Sequence, residues 1–456
     1  MKFDILSRSE TEHTRARRDD TLKIQRNLAP ELHPFQQERE YSRALKAAKL
    51  ARHFAKPFVG ALEGHTDGVY SIATNPHSLA SLVTGACDGE IRVWDLASKK
   101  LNWNVKGAHA NGFVRGLAVT ALGEQFVSCG DDKQAKLWDF NSKGVVETFV
   151  WETPLLGVDA HAKMPNMFAT CGEEVLLWDA ERPSEPIHQF NTRDWADSTS
   201  MCQVKFNRAE HNIMATVGKS DRSTVLYDCR QQLAIKKMTH PMRNNALSWN
   251  PMEPFFFTTA CEDFSLYTFD MRMLDRSLIV HHDHASAVLD VSYSPTGKEF
   301  VSASYDRSVR IFSVKPGWES KGRSREVYTA PRMHRVFATR FSPDSNFVFS
   351  GSEDGNVRIW KSVASKSLAV LGPKQKLALQ SNETLLNKFK HLKEIRKIHN
   401  KRILPKQLHK ETKNQQEMRA TERRKKMRVD AHTQRTGMES EKPITVRQKA
   451  VLRTSD

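Results

Sequence analysis

The stretch GHTDGVYSIATNPHSLASLVTGACDGEIRVWD (64–95) contains the pattern that decides the fold. Its last seven residues alternate polar and apolar side chains and end on an aromatic ring, as expected of a half-buried β-strand. The pattern recurs in KQAKLWD (133–139), EEVLLWD (173–179), RSTVLYD (222–228), FSLYTFD (264–270), RSVRIFS (307–313) and GNVRIWK (355–361). Successive aromatic residues are 40 to 49 positions apart, close to the period of about 40–45 residues of propeller blades. The spacing predicts an all-β, seven-bladed β-propeller.

Each repeat also carries polar residues at fixed positions. An Asp precedes the aromatic residue by six positions in six repeats, and a His lies 20 to 23 positions before that Asp in five. This resembles the WD-repeat family, in which His, a strand Ser or Thr, Asp and Trp form a hydrogen-bonded tetrad. We predict structural rather than catalytic roles, because catalysis would not need the same pair in blade after blade. The predicted tetrad residues are His65, Asp88, Trp94, His109, Asp132, Trp138, His284, Asp306, His334, Asp354 and Trp360, with His240 and Asp263 in repeat five.

Two repeats depart from the pattern. In repeat three, Gly172 occupies the Asp position and no matching His is evident, and in repeat four Ser198 lies near the His position. We expect apolar packing to hold both blades, through sequence drift or because a partner binds there. The strand that closes the ring is either Lys56–Glu63 or Ser367–Leu371, and the sequence leaves both open.

Charge is distributed unevenly along the 456 residues. Residues 373–456 carry a net charge of +14 and residues 1–56 a net charge of +5, whereas residues 57–372 carry −2. Basic ends of this kind indicate contact with a polyanion, and we expect that polyanion to be nucleic acid. We therefore divide the chain into an N-terminal extension (1–55), the propeller (56–372) and a basic helical C-terminal arm (373–456), and expect the propeller to fold without the arm.

The C-terminal arm has an apolar stripe within a basic helix. Leu385, Phe389, Leu392, Ile395 and Ile398 recur at helical spacing over residues 374–404, and Pro405 is expected to end or kink that helix. The arm is a solvated helix, a nuclear localisation signal at ERRKKMR (422–428), or an RNA-binding element whose stripe packs on a protein neighbour; the combination of stripe and cations favours the third. The RNA-contacting candidates are Lys388, Lys390, Lys393, Arg396, Lys397, Lys401, Arg402, Arg423, Arg424, Lys425, Lys426 and Arg428.

The N-terminal extension contains a second predicted helix. It begins at Pro34, with Tyr41, Ala44, Leu45 and Ala48 on one side, and it leads into the candidate closing strand. We assign docking outside the propeller to 34–54.

Sequence motifs of catalysis are absent. The chain has no phosphate-binding loop, HExxH, GxSxG or spaced Cys/His set, so we predict no enzyme activity, no cofactor and no small-molecule substrate. HHDH (281–284) is a poor metal site because adjacent residues on a strand point to opposite faces, and we predict no bound metal. The six cysteines form no CxxC pair, which is typical of reduced thiols in a cytosolic or nuclear protein. No apolar run of about 18 residues is present, so we predict no membrane span.

Longer segments carry a more specific resemblance. QRNLAPELHPFQQEREYSRALKAAKLARHFAKPF (25–58), the stretch 64–95 quoted above, SWNPMEPFFFTTACEDFSLYTFDMR (248–272), LDVSYSPTGKEFVSASYDRSVRIF (289–312) and KGRSREVY (321–328) resemble the WD and SOF domain-containing family. The resemblance implies a scaffold of the nucleolar small-subunit processome, needed for pre-rRNA processing. It also implies partners: pre-ribosomal RNA, a small nucleolar ribonucleoprotein and other processome proteins.

The same resemblance leaves a second function open. In animals the family is also assigned to substrate receptors of cullin-4 ubiquitin ligases, whose signature is an aromatic-Asp-x-Arg at the end of a blade. Asp228 and Arg230 after Tyr227, and Asp270 and Arg272 after Phe269, fit this signature loosely because Trp is replaced in both. An Asp-x-Arg can equally form a local salt bridge, so these four residues are candidates for binding the ligase adaptor and no more.

Overall fold

The computed structural model describes residues 35–110, 112–190, 200–231, 234–314, 322–402, 404–435 and 447–455. Its described strands form seven antiparallel sheets, which confirms the seven-bladed propeller. The innermost strands of consecutive sheets contact one another in sequence, and the first of them contacts the last. Ser198 and Pro34, which the sequence analysis singled out, lie outside the described residues.

The strands follow the chain blade by blade, from the innermost to the outermost strand. Blades one to three contain β2 (Val69–Thr74), β3 (Ser81–Ala86), β4 (Ile91–Asp95), β5 (Lys100–Val105), β6 (Val114–Val119), β7 (Gln125–Gly130), β8 (Gln134–Asp139), β9 (Val145–Val150), β10 (Gly157–Ala160), β11 (Met167–Cys171), β12 (Val175–Asp179) and β13 (His188–Phe190). Blades four and five contain β14 (Met201–Phe206), β15 (Ile213–Gly218), β16 (Ser223–Asp228), β17 (Ala234–Thr239), β18 (Asn244–Trp249), β19 (Phe256–Cys261), β20 (Leu266–Asp270) and β21 (Ile279–His281). Blades six and seven contain β22 (Val288–Tyr293), β23 (Glu299–Ser304), β24 (Val309–Ser313), β25 (Glu326–Tyr328), β26 (Val336–Phe341), β27 (Phe347–Ser352) and β28 (Val357–Lys361).

The N-terminal strand closes the ring. Strand β1 (Phe58–Leu62) pairs antiparallel with β28 and completes blade seven, in the order β1-β28-β27-β26. Of the two closing segments left open by the sequence, the structure therefore selects Lys56–Glu63. The ring of Phe58 packs edge-on against Trp360 with centroids 5.5 Å apart, so the closure also adds aromatic contact.

The predicted tetrad is complete in blade two. His109 Nδ1 lies 2.9 Å from Asp132 Oδ1, and His109 Nε2 lies 2.7 Å from Ser128 Oγ. Trp138 Nε1 donates to the same Ser128 oxygen at 2.8 Å. Since a carboxylate only accepts, the Nδ1–H of His109 donates to Asp132, and Nε2 accepts from the Ser128 hydroxyl. In blade six His284 makes the same two contacts, with Asp306 at 3.1 Å and Ser302 at 2.6 Å, but the aromatic residue is Phe312 and adds no hydrogen bond.

Blade one keeps the imidazole and changes its acidic neighbour. His65 Nε2 contacts Thr84 Oγ1 at 2.7 Å, and Trp94 Nε1 donates to the same oxygen. The carboxylate near His65 Nδ1 belongs to Glu90, at 3.5 Å. Asp88 instead accepts from the Thr66 hydroxyl, so the predicted pairing of His65 with Asp88 is wrong.

In blade seven the predicted His334 is not a tetrad member. Its side chain is exposed, and the hydrogen bond from Trp360 Nε1 to Ser350 Oγ at 2.8 Å stands without an imidazole. Asp354 pairs with the guanidinium of Arg358, which also donates to the carbonyl of Arg332. A guanidinium thus replaces the imidazole as the donor to the half-buried carboxylate of Asp354.

Close packing explains why blade three has Gly172 where most other repeats have Asp. A Cβ atom on Gly172 would lie 2.4 Å from the carbonyl oxygen of Pro154, so a side chain there would collide with the backbone. Trp178 Nε1 still donates to Thr170 Oγ1 at 2.9 Å. The blade therefore keeps the tryptophan contact and loses the acidic group.

The described chain divides into two compact units, Met1–Phe54 with Ser367–Lys401, and Ala55–Lys366 with Arg402–Asp456. The first contains α1 (Gln36–Arg52), α2 (Pro373–Phe389) and α3 (Lys393–Asn400). Ala44 and Ala48 of α1 and Ile395 of α3 are buried together, and Tyr41, Leu45, Leu385, Leu386, Phe389 and Ile398 pack around them. The predicted stripe therefore exists, but it is split between two helices, and α1 of the same chain covers it instead of a protein neighbour.

The second unit includes the end of the C-terminal arm. Helix α4 (Lys406–Arg435) belongs to it, and β29 (Arg453–Ser455) pairs with β17 as a fifth strand of blade four. Ala450 is fully buried in the apolar cluster between blades four and five. The predicted boundary at residue 373 does not coincide with these units, and the expectation that the propeller folds without residues 373–456 does not fit this packing.

His240 fastens this C-terminal segment. Its Nδ1 donates to the carbonyl oxygen of Ala450 at 2.9 Å, and its Nε2 lies 3.0 Å from Thr224 Oγ1. Burial lowers the pKa of His240 to about 4, so the ring is neutral at pH 7. Asp263, the partner predicted from the repeat, accepts from Tyr267 instead.

We predict that His284→Ala lowers the stability of the protein much more than His334→Ala, although both histidines occupy the same position in the repeat pattern. Removing the buried imidazole leaves a cavity and takes one of its donors from buried Asp306 and the His284 contact from Ser302. This is expected to lower the free energy of unfolding by about 2–3 kcal/mol. Removing the exposed His334 is expected to change it by less than about 0.5 kcal/mol. Thermal and denaturant unfolding of the two variants measure the difference, and equal destabilisation would contradict the assignment.

Candidate nucleic-acid and partner interfaces

Helix α4 has a docked beginning and an exposed end. Leu408 is buried, Gln415 and Arg419 are half-buried, and Gln415 Nε2 donates to the carbonyl oxygen of Ala285 at 2.7 Å. This spacing places one side of the helix against the propeller. From Thr421 to Val429 every side chain is exposed, and we call residues 421–429 the exposed end of α4.

Five RNA-contacting candidates lie on the exposed end. They are Arg423, Arg424, Lys425, Lys426 and Arg428. The segment 421–429 contains one acidic residue, Glu422, and has a net charge of +4. Flexible cations in water at this density can bind phosphates through charge, without reading bases.

Arg402, another candidate, is engaged within the propeller unit. Its guanidinium donates to both carboxylate oxygens of Asp283, at 2.9 and 2.7 Å, and to the carbonyl of Ser324. Burial opposes ionisation of Asp283, but the charges of Arg310 and Arg402 lower its pKa to about 2. Arg402 is therefore an anchor for the start of α4 in this structure rather than a free cation, a role that helical periodicity gave no signal for.

The remaining candidates lie in the helical unit, and all of them are exposed. They are Lys388, Lys390, Lys393, Arg396, Lys397 and Lys401. Lys388 Nζ donates to Glu40 at 2.6 Å and lies 5.5 Å from the ring centroid of Phe389. The hydroxyl of Tyr41 donates to Glu394. Most cations of this unit therefore face solvent, while acidic groups support the contacts between its helices.

The HHDH cluster (281–284) does not converge on one point. His281 is fully buried against Phe300 and Phe312, with centroids 5.1 Å from each. His282 contacts Ser265 at 2.5 Å, and burial together with the charges of Arg419 and Arg423 lowers its pKa to about 4. No group of three or more His, Cys, Asp and Glu residues suited to a metal occurs in the described part of the chain. The absence of a metal remains a prediction.

The two Asp-x-Arg candidates share one geometry. Arg230 Nη2 lies 2.8 Å from Asp228 Oδ2, and Arg272 Nη2 lies 2.9 Å from Asp270 Oδ2. In both pairs the Arg backbone N–H and Nε donate to the other carboxylate oxygen at 3.0 and 3.1 Å. The Arg side chains are 69% and 59% exposed. Consecutive blades four and five thus present two oriented guanidinium groups, although each also makes the local salt bridge that the sequence allowed.

The channel between the innermost strands contains paired charges. Lys205 lies 2.8 Å from Asp159, Arg340 lies 2.9 Å from Asp290, and Arg115 lies 2.8 Å from Asp131. In each pair the two charges neutralise one another. The first two pairs connect neighbouring blades, whereas Arg115 and Asp131 both belong to blade two. The three pairs help explain how the propeller carries many charged residues with little net charge.

Comparison with known proteins fits these features. A Sof1-like domain model matches residues 362–451, and a WD domain, G-beta repeat model matches residues 56–95, 103–139, 276–313 and 325–361. "DDB1- and CUL4-associated factor 13" from Xenopus laevis is 45% identical over 439 residues, covering 95% of this chain and 96% of the relative. The Homo sapiens protein of that name is 44% identical with the same coverage. "Protein SOF1" from Saccharomyces cerevisiae is 40% identical over 465 residues, covering 96% of this chain and 91% of the relative.

The fold and the two matched domains define the class: a WD-repeat propeller joined to a Sof1-like domain. Identity over almost the whole length goes further, and the chain belongs to the family of Protein SOF1 and DDB1- and CUL4-associated factor 13. This confirms the family resemblance drawn from the sequence. The comparisons show no enzyme family. No helix in the described part of the chain is long and apolar enough to cross a membrane.

We predict that Arg402→Gln and Lys401→Gln affect stability differently. Arg402→Gln removes a half-buried charge that pairs with Asp283, which is expected to lower the free energy of unfolding by about 2 kcal/mol. Lys401 is exposed, so its substitution is expected to leave stability unchanged within about 0.5 kcal/mol. Thermal unfolding of the two full-length variants checks this, and a wild-type midpoint for Arg402→Gln would show that the ion pair does not anchor α4.

Proposed function

We propose that this protein is a non-catalytic scaffold of the nucleolar small-subunit processome, required for pre-rRNA processing and small-subunit biogenesis. In this role the propeller binds proteins, while the basic helices contact pre-ribosomal RNA and neighbouring components such as a small nucleolar ribonucleoprotein. The observation that carries the proposal is the exposed end of α4, where five cations stand in water beside a nearly neutral propeller. The kinship with Protein SOF1 supports it.

The near-neutral propeller suits protein partners. Residues 57–372 have a net charge of −2, so their surface offers little general attraction for phosphates. Affinity for RNA must then come from the basic helices, and the propeller is left to bind proteins. This proposed role implies that the protein acts in the nucleus and nucleolus.

We predict that neutralising the exposed end of α4 removes the protein from pre-ribosomal particles. The variant carries Gln at Arg423, Arg424, Lys425, Lys426 and Arg428, a residue that keeps helix propensity while removing charge. Sedimentation of cell extracts is expected to show the variant in light fractions, and ultraviolet crosslinking with sequencing is expected to show loss of pre-rRNA reads. The reason is the loss of up to five phosphate contacts.

A matched control removes the same charge from the propeller. It carries Gln at the exposed residues Lys100, Lys106, Lys143, Lys163 and Lys219. This control is expected to sediment and crosslink as the wild type does. If the helix variant stays in heavy fractions with its pre-rRNA reads intact, the exposed end of α4 does not mediate the association.

A second function is favoured by the Asp-x-Arg geometry. The relatives named DDB1- and CUL4-associated factor 13 motivate the hypothesis that this chain acts as a substrate receptor of a cullin-4 RING ubiquitin ligase. Two exposed arginines fixed by their own carboxylates in adjacent blades would meet a partner with little loss of side-chain freedom. The hydrogen bond from Arg230 lowers the pKa of Asp228, so that pair stays ionised at neutral pH.

The ligase hypothesis predicts a specific loss of adaptor binding. In Arg230→Ala/Arg272→Ala, recovery of DDB1 by co-purification is expected to fall at least tenfold, because both oriented cations are removed. The control Arg208→Ala/Arg276→Ala removes two exposed arginines outside the motifs and is expected to leave recovery unchanged. Undiminished recovery with the motif variant would remove these residues from the hypothesis.

A further inference from the structure

The exposed end of α4 carries cations on opposite sides. An α-helix turns about 100° per residue, which places Arg423 and Lys426 on one side and Arg424 and Arg428 nearly opposite. All four side chains are exposed. Lys425 lies beyond Arg428 around the helix, so positive charge nearly encircles it.

One of these sides continues the side that docks on the propeller. Gln415 and Arg419 face the propeller unit, and Arg423 and Lys426 follow them at helical spacing. Arg423 is close enough for its charge to lower the pKa of His282. The docking side therefore stays basic after the helix has lost its contacts with the propeller. If α4 lay flat on a polyanion, half of these cations would face away from it.

We propose that the exposed end of α4 inserts into a groove of structured RNA, with phosphates on both sides of the helix. The proposal rests on the function proposed above and specifies how RNA is bound. Both sides then contribute phosphate contacts, and the affinity is electrostatic. The segment 421–429 contains no aromatic residue, so base stacking does not contribute.

The size of the helix restricts the RNA. An α-helix with its side chains is about 10–12 Å across, whereas the major groove of regular A-form RNA is too narrow for side chains to read. A groove widened by an internal loop has room for the helix and keeps phosphates on both walls. The RNA partner of α4 is therefore a duplex interrupted by an internal loop.

The anchored base of α4 suits insertion. Arg402 is held by Asp283 through two hydrogen bonds, and Gln415 is held by the Ala285 carbonyl. The direction of the helix is thus set before RNA arrives, which reduces the ordering cost of binding. An unanchored peptide of the same charge would lose more freedom.

The test uses full-length protein and two RNA hairpins with the same number of nucleotides. One hairpin has a continuous stem, and the other has the stem interrupted by an asymmetric internal loop. Binding is measured by fluorescence anisotropy between 50 and 200 mM salt for the wild type, Arg423→Gln/Lys426→Gln and Arg424→Gln/Arg428→Gln. Lys100→Gln/Lys106→Gln is the control with the same change of charge, on the outer edge of blade one.

If the helix inserts, each helix variant reduces the slope of log affinity against log salt concentration for the looped hairpin by about 2. The wild type is also expected to bind this hairpin at least tenfold tighter than the continuous one. The control variant keeps the wild-type slope. A reduced slope in only one helix variant means that α4 lies on a surface, which overturns insertion and leaves RNA binding intact. Equal reductions without preference for the looped hairpin also overturn insertion. Wild-type slopes in both variants overturn insertion and the proposed role of α4 in RNA binding together.

Discussion

The hydrogen bonds between β1 and β28 join segments that lie about 300 residues apart in the chain, and the propeller depends on them. Blade seven has three strands of its own, so without β1 its outer edge would expose unpaired backbone groups. Pairing also brings Phe58 onto Trp360. Because the N-terminal strand completes the sheet, the residues after Lys361 are released from that task and are available to form the basic helices.

Inside the blades, the polar groups of the repeat pattern find partners or oppositely charged neighbours whose identity varies from blade to blade. Blade two satisfies its histidine with Asp132, blade one brings Glu90 near it, and blade seven replaces the imidazole by Arg358. His240 goes furthest, since its Nδ1 donates to the backbone of Ala450, 210 residues away. A repeat therefore tolerates substitution as long as a donor faces each buried acceptor. In blade five the replacement partner is the backbone of Ala450, and this hydrogen bond helps to hold the C-terminal segment in the propeller unit.

The sequence predicts the strands and helices whose residues follow a repeat or a period. It does not predict contacts between segments that lie far apart in the chain. The alternating strands and the spacing of the aromatic residues were sufficient for seven blades, and the helical period correctly grouped Phe389 and Ile395 in one apolar stripe. The partner of that stripe, the anchor of Arg402 and the docking of Ala450 could not be predicted, because each joins segments with no common period. The His334 error was avoidable. His65, His240 and His284 precede their next inner strand by four residues and His109 precedes β6 by five, whereas His334 precedes β26 by two. The offset from the strand is the better criterion, because it fixes where the side chain points.

The separation of charge between propeller and helix has an energetic consequence. In the propeller channel, cations lie beside carboxylates, as Lys205 does beside Asp159, and their fields largely cancel. On the exposed end of α4, five cations accompany one acid, so neighbouring like charges repel and weaken the isolated helix. Anchoring through Arg402 and Gln415 offsets part of this cost at the base of the helix. Binding of a polyanion would reverse the effect of these charges on the stability of the helix, because each phosphate that pairs with a cation removes repulsion and releases bound counterions. The same charges that destabilise the helix in water would therefore stabilise it in the proposed complex with RNA, and the order of α4 would then depend on that partner.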